Sequence, residues 1–156
     1  MKKVSLELGG GGRLMRDFIS RRILPTFGNP VLDELTDAGL LAGGIAFTTH
    51  SYVVDPLFFP GGDIGMLAVN GTVNDLVVSG AAPCDLSLAL ILEEGLEEDV
   101  LDRVLASVAR AARKAGVRIV TGDTKVVRQG QGDKIYINTA GLGTSVGRPA
   151  PAKIRP

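Results

Sequence analysis

The stretch that decides the fold runs from Glu97 to Lys125, EEDVLDRVLASVARAARKAGVRIVTGDTK. Val100, Leu101, Val104, Leu105, Val108, Ala112 and Ala115 recur at helical spacing and make one apolar stripe. Glu97, Glu98 and Asp99 sit in the first turn, and Arg110, Arg113 and Lys114 near the last, which complements the helix dipole. Gly116 suits the C-terminal cap. Val117 to Val120 then reads as a short strand running straight into Thr121-Gly122-Asp123-Thr124-Lys125, read as a loop. A helix that hands the chain directly to a strand is the repeating unit of α/β architecture.

Outward from this stretch the alternation continues. Leu86 to Leu92 alternates as a strand does, and Ile135 to Leu142 forms another. Asp63 caps a helix reaching about Ser79, with Ile64, Leu67, Ala68, Gly71 and Leu76 inward and Gly80 and Pro83 ending it. Ala46 to Val54 is rich in β-branched and aromatic residues and predicts a strand; Asp55 to Gly62 is a loop by its prolines and glycines. Arg13 to Leu24 has helical periodicity and stops at Pro25, before a turn at Thr26 to Pro30. The expected fold is therefore a mixed α/β (α+β) domain over residues 1–146. Gly147 to Pro156, with three prolines, reads as a linker toward a further domain.

Composition excludes several functions. Seventeen basic residues balance seventeen acidic ones, aromatics are 4% and Trp is absent, so neither a nucleic-acid footprint nor a base-stacking platform is expected. Cys84 is the lone cysteine, which rules out an internal disulfide. No apolar run has the length of a membrane span, and the first residues lack an apolar signal core, so a cytoplasmic setting is expected. The 21 glycines cluster at Gly9 to Gly12, Gly43-Gly44 and Gly61-Gly62, as in loops that approach a ligand closely.

Four stretches carry chemistry. Asp75, after Asn74, lies in an otherwise apolar helix, where a carboxylate needs a hydrogen-bond partner or a metal. Asp123 lies between Gly122 and Thr124 at the expected end of a strand, a usual place for ligand sites; Lys125 offers a phosphate a point charge. The alternative there is an ordinary turn with a capping aspartate. Gly9 to Gly12 precede a helix and are either a phosphate cradle or a plain loop. Asp37, beside Asp33 and Glu34, is either a Mg²⁺ ligand or part of a solvated turn, and Asp63 is equally a helix cap. His50 is the sole histidine, so no serine-histidine-acid constellation is proposed.

The wording of several segments resembles the HypE family of hydrogenase maturation proteins. These are Ala46-Phe47-Thr48-Thr49, Ser51 to Val54, Pro56 to Gly65, Gly71 to Leu76, Ile91 to Gly95, Val117 to Val127 and Ile137 to Gly143. HypE is similar in turn to aminoimidazole ribonucleotide synthetase, selenophosphate synthetase and thiamine-monophosphate kinase. The resemblance implies an N-terminal domain whose mixed sheet, packed with helices, pairs with its twin in a homodimer, with ATP and Mg²⁺ bound near that interface. It implies a carbamoyl dehydratase: a C-terminal cysteine receives a carbamoyl group from HypF, ATP activates the carbamoyl oxygen, and elimination leaves a thiocyanate. The cyano group then passes to a HypC–HypD complex for the iron of [NiFe]-hydrogenase.

Carried over by motif, Asp75 and Asp123, with Asp37, correspond to metal- or phosphate-binding aspartates, and Lys125 to an active-site lysine. Gly11, Gly12, Asp63, Asn74, Thr121, Gly122 and Thr124 fall on the nucleotide side. His50 stands where the family usually has an aspartate, Met66 where it has a lysine, and the Gly9 to Gly12 run lacks the usual histidine and serine. The cysteine-bearing second domain does not lie within these residues. Two other readings fit the same residues: a small-molecule kinase or synthetase of this superfamily, and a non-catalytic dimerisation module with a degraded ATP site.

Overall fold

The computed structural model describes residues 3–147. They form two compact units, one ending at Thr36 and the other beginning at Asp37. The expected linker falls at its far end outside the described residues.

In the first unit a short 3₁₀ turn, Leu6–Gly10, precedes helix α1 (Gly12–Phe18). Gly11 and Gly12 join them at positive φ, 76° and 64°, a backbone shape that side chains disfavour. The helix does not stop at Pro25 as its sequence predicts. It widens into a π-helical turn, Ile19–Ile23, and continues as α2, Leu24–Phe27, with Pro25 in its opening turn. Proline has no N–H to give and its ring crowds the preceding turn; it is tolerated at the start of a helical segment, and the widened turn puts it there.

The second unit is a five-stranded sheet with two helices on one face. Its strands are β1 (Gly39–Leu41), β2 (Ile45–Tyr52), β5 (Ala81–Glu93), β6 (Arg118–Val127) and β7 (Ile135–Ser145), in the order β1-β2-β7-β5-β6. A small hairpin, β3 (Phe58–Phe59) with β4 (Gly62–Asp63), leads into α3 (Ile64–Val78). Helix α4 (Glu98–Ala115) crosses between β5 and β6, the one parallel pair among the described residues, as a parallel connection requires. Gly116 caps α4 at φ 70°.

Alternation along the strands divides the sheet into two faces. Ala46 and Thr48 of β2, Leu86 and Leu90 of β5, and Ile135, Ile137 and Thr139 of β7 are buried toward α3 and α4. There they meet Ile64, Ala68, Val69 and Leu76 of α3 and Val104 and Val108 of α4. Among the described residues of this unit, the opposite face carries no helix. Leu41, Ile45, Phe47, Ile91 and Leu142 stand exposed on it.

Three strands are longer than expected, and β7 runs on to Ser145. β5 begins at Ala81, and Pro83 fits because β6 joins β5 only from Asp85, so no neighbour asks Pro83 for a hydrogen bond on that side. β6 runs unbroken from Arg118 to Val127, so Thr121 to Lys125 are strand and not the loop that their composition predicts. Pairing of Gly122 to Lys125 with Leu88 to Ile91 of β5 outweighs the local turn preference of Gly-Asp-Thr.

Candidate functional site

Asp75 sits on the last turn of α3, half-buried against the sheet. The alternation of β2 aims Thr48, His50 and Tyr52 at this helix. His50 Nε2 lies 2.5 Å from Asp75 Oδ2, and the Thr48 hydroxyl lies 3.4 Å from the same oxygen. Thr48 also donates at 2.8 Å to the main-chain oxygen of Asp37. Asn74, beside Asp75, faces solvent.

A second polar layer holds this arrangement. The Tyr52 ring stacks on His50 at 5.8 Å between centroids and 23° between planes. Its hydroxyl lies 3.4 Å from that of Thr72, which meets the Thr139 hydroxyl at 2.5 Å. Both hydroxyls also lie 3.2 Å from the carbonyl of Ala68, so one donates there while the other donates within the pair. This straps α3 to β7 through fully buried hydroxyls, each satisfied as burial demands. Burial pushes the Tyr52 phenol up, opposed by its contacts to Thr72 and Thr139.

Asp123 and Lys125 lie elsewhere. Asp123 pairs with Ala89, and Ala89 with Asn138, which pairs with Ser51, so all four share the helix-free face. A shallow groove of about 320 Å³ runs there, lined by Ser51, Val53, Ala89, Ile91, Asp123, Lys125, Tyr136 and Asn138. Lys125 Nζ donates to Asp123 Oδ1 at 2.8 Å, and this holds the Asp123 carboxyl below the usual range. Asn138 is fixed by donation to the His50 carbonyl at 2.8 Å and to Ser51 Oγ at 3.0 Å. Thr121 points the same way as Asp123, while Gly122 and Thr124 point the other. Gly122 has a packing role: a Cβ there would lie 2.2 Å from the carbonyl oxygen of Leu88.

The structure thus brings some predicted site residues together and separates others. Asp75 and the main chain of Asp37 meet at Thr48, on the helix-covered face; Asp123 and Lys125 lie on the open one. Asp63 caps α3 through the Met66 N–H at 2.9 Å, and its other oxygen accepts from Ser107 at 2.6 Å. Gly11 and Gly12 belong to the first unit. Among the described residues no three His, Cys, Asp or Glu side chains converge as a metal cage. Sequence reasoning missed Thr48, Tyr52, Thr72, Thr139 and Asn138. A threonine or histidine at the inward position of an alternating strand is the signal that marks the first of them.

The family model for the N-terminal domain of AIR synthase related proteins matches residues 35–145. The chain belongs to this family. As an AIR synthase related domain it is 52% identical to the carbamoyl dehydratase HypE of Escherichia coli (strain K12), over 92% of this chain and 45% of that protein. The chain therefore spans less than half the length of that relative. A crystal structure of a HypE–HypF complex matches with TM-score 0.80 at 48% identity, over 87% of this chain and 43% of that one. A HypE structure in complex with ATP matches with TM-score 0.69 at 52% identity, over 99% and 47%. The likeness to HypE that the motifs imply is borne out, as is the mixed α/β fold. No helix among the described residues is long and apolar enough to cross a membrane.

Proposed function

We propose that this domain is the ATP-binding, dimer-forming half of a HypE-like carbamoyl dehydratase that works in the cytoplasm, with HypF as carbamoyl donor and a HypC–HypD complex as acceptor. The observation that carries the reading is the 52% identity to a carbamoyl dehydratase over 92% of the chain. ATP would convert the carbamoyl oxygen into a leaving group. That chemistry asks the protein mainly to position phosphates and offset their charge. Lys125, on a rigid strand beside a groove, is a suitable cation, and Asn138 and Ser51 offer fixed polar atoms near it.

Homodimer formation is part of the same reading. Leu41, Ile45, Phe47, Ile91 and Leu142 make the helix-free face apolar, the kind of surface that a second copy covers. The residues fit Mg²⁺ less well. Asp75 and Asp123 lie on opposite faces of the sheet, and Asp75 is engaged by His50. That engagement favours the second reading, a non-catalytic dimerisation module.

The test grafts this chain in place of the N-terminal half of Escherichia coli HypE and titrates ATP calorimetrically. The expected result is saturable binding, weakened roughly tenfold or more by Lys125→Ala through loss of a charge-assisted contact. No heat of binding, in a graft that melts cooperatively, would favour the non-catalytic module.

A further inference from the structure

We propose that His50 takes the position at Asp75 that a divalent cation would need, so that Asp75 in this chain is a hydrogen-bonded carboxylate and not a metal ligand. This rests on the ATP-site reading only for the identity of the displaced ion; the contact itself is independent of it.

An ionised carboxylate only accepts hydrogen bonds, so at 2.5 Å the His50 Nε2 is the donor and its N–H points at Oδ2. Mg²⁺ on that oxygen would sit about 2.1 Å away, beside the positive end of the N–H. Ion and Nε2–H therefore compete for Oδ2. Two features hold the imidazole in place. Tyr52 stacks on one side, and that phenol is tied to Thr72 in the buried hydroxyl chain. On the main chain, Asn138 donates to the His50 carbonyl and fixes the strand that carries the ring. Nothing else near Asp75 compensates: among the described residues no third metal-binding side chain joins the pair. Imidazole is also a poor choice for a hard ion that prefers oxygen. A carboxylate at position 50 would reverse the situation, placing two acidic side chains where one now faces an N–H.

Mn²⁺ alone is the probe, titrated onto this chain without nucleotide and followed by electron paramagnetic resonance, with circular dichroism melts confirming the fold of each variant. His50→Asp is expected to bind Mn²⁺ roughly tenfold to a hundredfold more tightly than wild type, from removal of a charge-assisted contact. The double variant His50→Asp, Asp75→Asn is expected to lose that gain. His50→Asn serves if His50→Asp does not fold, with a smaller gain in the same direction. The proposal is overturned if wild type binds Mn²⁺ as tightly as these variants, or if the gain survives Asp75→Asn. ATP binding measured separately in the graft reports on the function proposed above, so the two ideas fail on different readouts.

Discussion

Both carboxylate oxygens of Asp63 are engaged within the fold, one on the Met66 N–H and one on the Ser107 hydroxyl. Asp63→Ala removes a helix cap and leaves Ser107, which is buried, without this partner. The expected loss is about 1–3 kcal/mol in urea melts, and Asp63→Asn is expected to recover part of it. Glu93 gives a pH signature. The N–H groups of Lys134 and Gly130 donate to its carboxylate and hold its titration below the usual glutamate range. A depressed carboxyl stabilises the fold at neutral pH, and the contribution is lost as pH falls through the folded value. Wild type is therefore expected to be more stable than Glu93→Gln at neutral pH, with the two converging in acid; thermal melts across pH check this. Of these residues the cap at Asp63 was legible as one of two readings, because an aspartate directly before an apolar run can satisfy the first free N–H groups of a helix. The Glu93 contacts reach the turn before β7 and left no local trace.

At the level of elements, α4 was readable because spacing, cap and charge agree, and α3 because Asp63 caps an apolar run. The limits of α4 fall where Glu97 and Gly116 place them. The strand β6 was not readable past Val120. Gly-Asp-Thr favours a turn locally, and only pairing with β5 keeps it extended. Gly122 shows how close that pairing is. A methyl group there would lie 2.2 Å from the Leu88 carbonyl oxygen, so the strands must separate. Gly122→Ala is expected to cost about 1–3 kcal/mol, read as a lower urea midpoint, while Thr121→Ala on the exposed face is expected to change stability little.

For the whole molecule, the two aspartate stretches mark where sequence reading stopped. Asp75 and Asp123 were each identifiable as chemistry-bearing, yet their separation onto opposite faces follows from the side on which α3 packs and from the pairing that sets the alternation of β6, which no local pattern encodes. The apolar helix-free face, with the Asp123–Lys125 groove on it, is where the proposed dimer can be tested. Phe47→Glu is expected to convert a dimer to a monomer in sedimentation experiments with the fold intact; an unchanged mass would argue that another surface mediates assembly.

The central claim, that this domain serves a carbamoyl dehydratase, is tested most directly by mass spectrometry. The graft carrying the C-terminal half of Escherichia coli HypE would be carbamoylated by HypF and then given ATP. The account predicts an ATP-dependent loss of one water from the modified protein. A carbamoylated protein whose mass stays unchanged with ATP, while authentic HypE loses water under the same conditions, would contradict it.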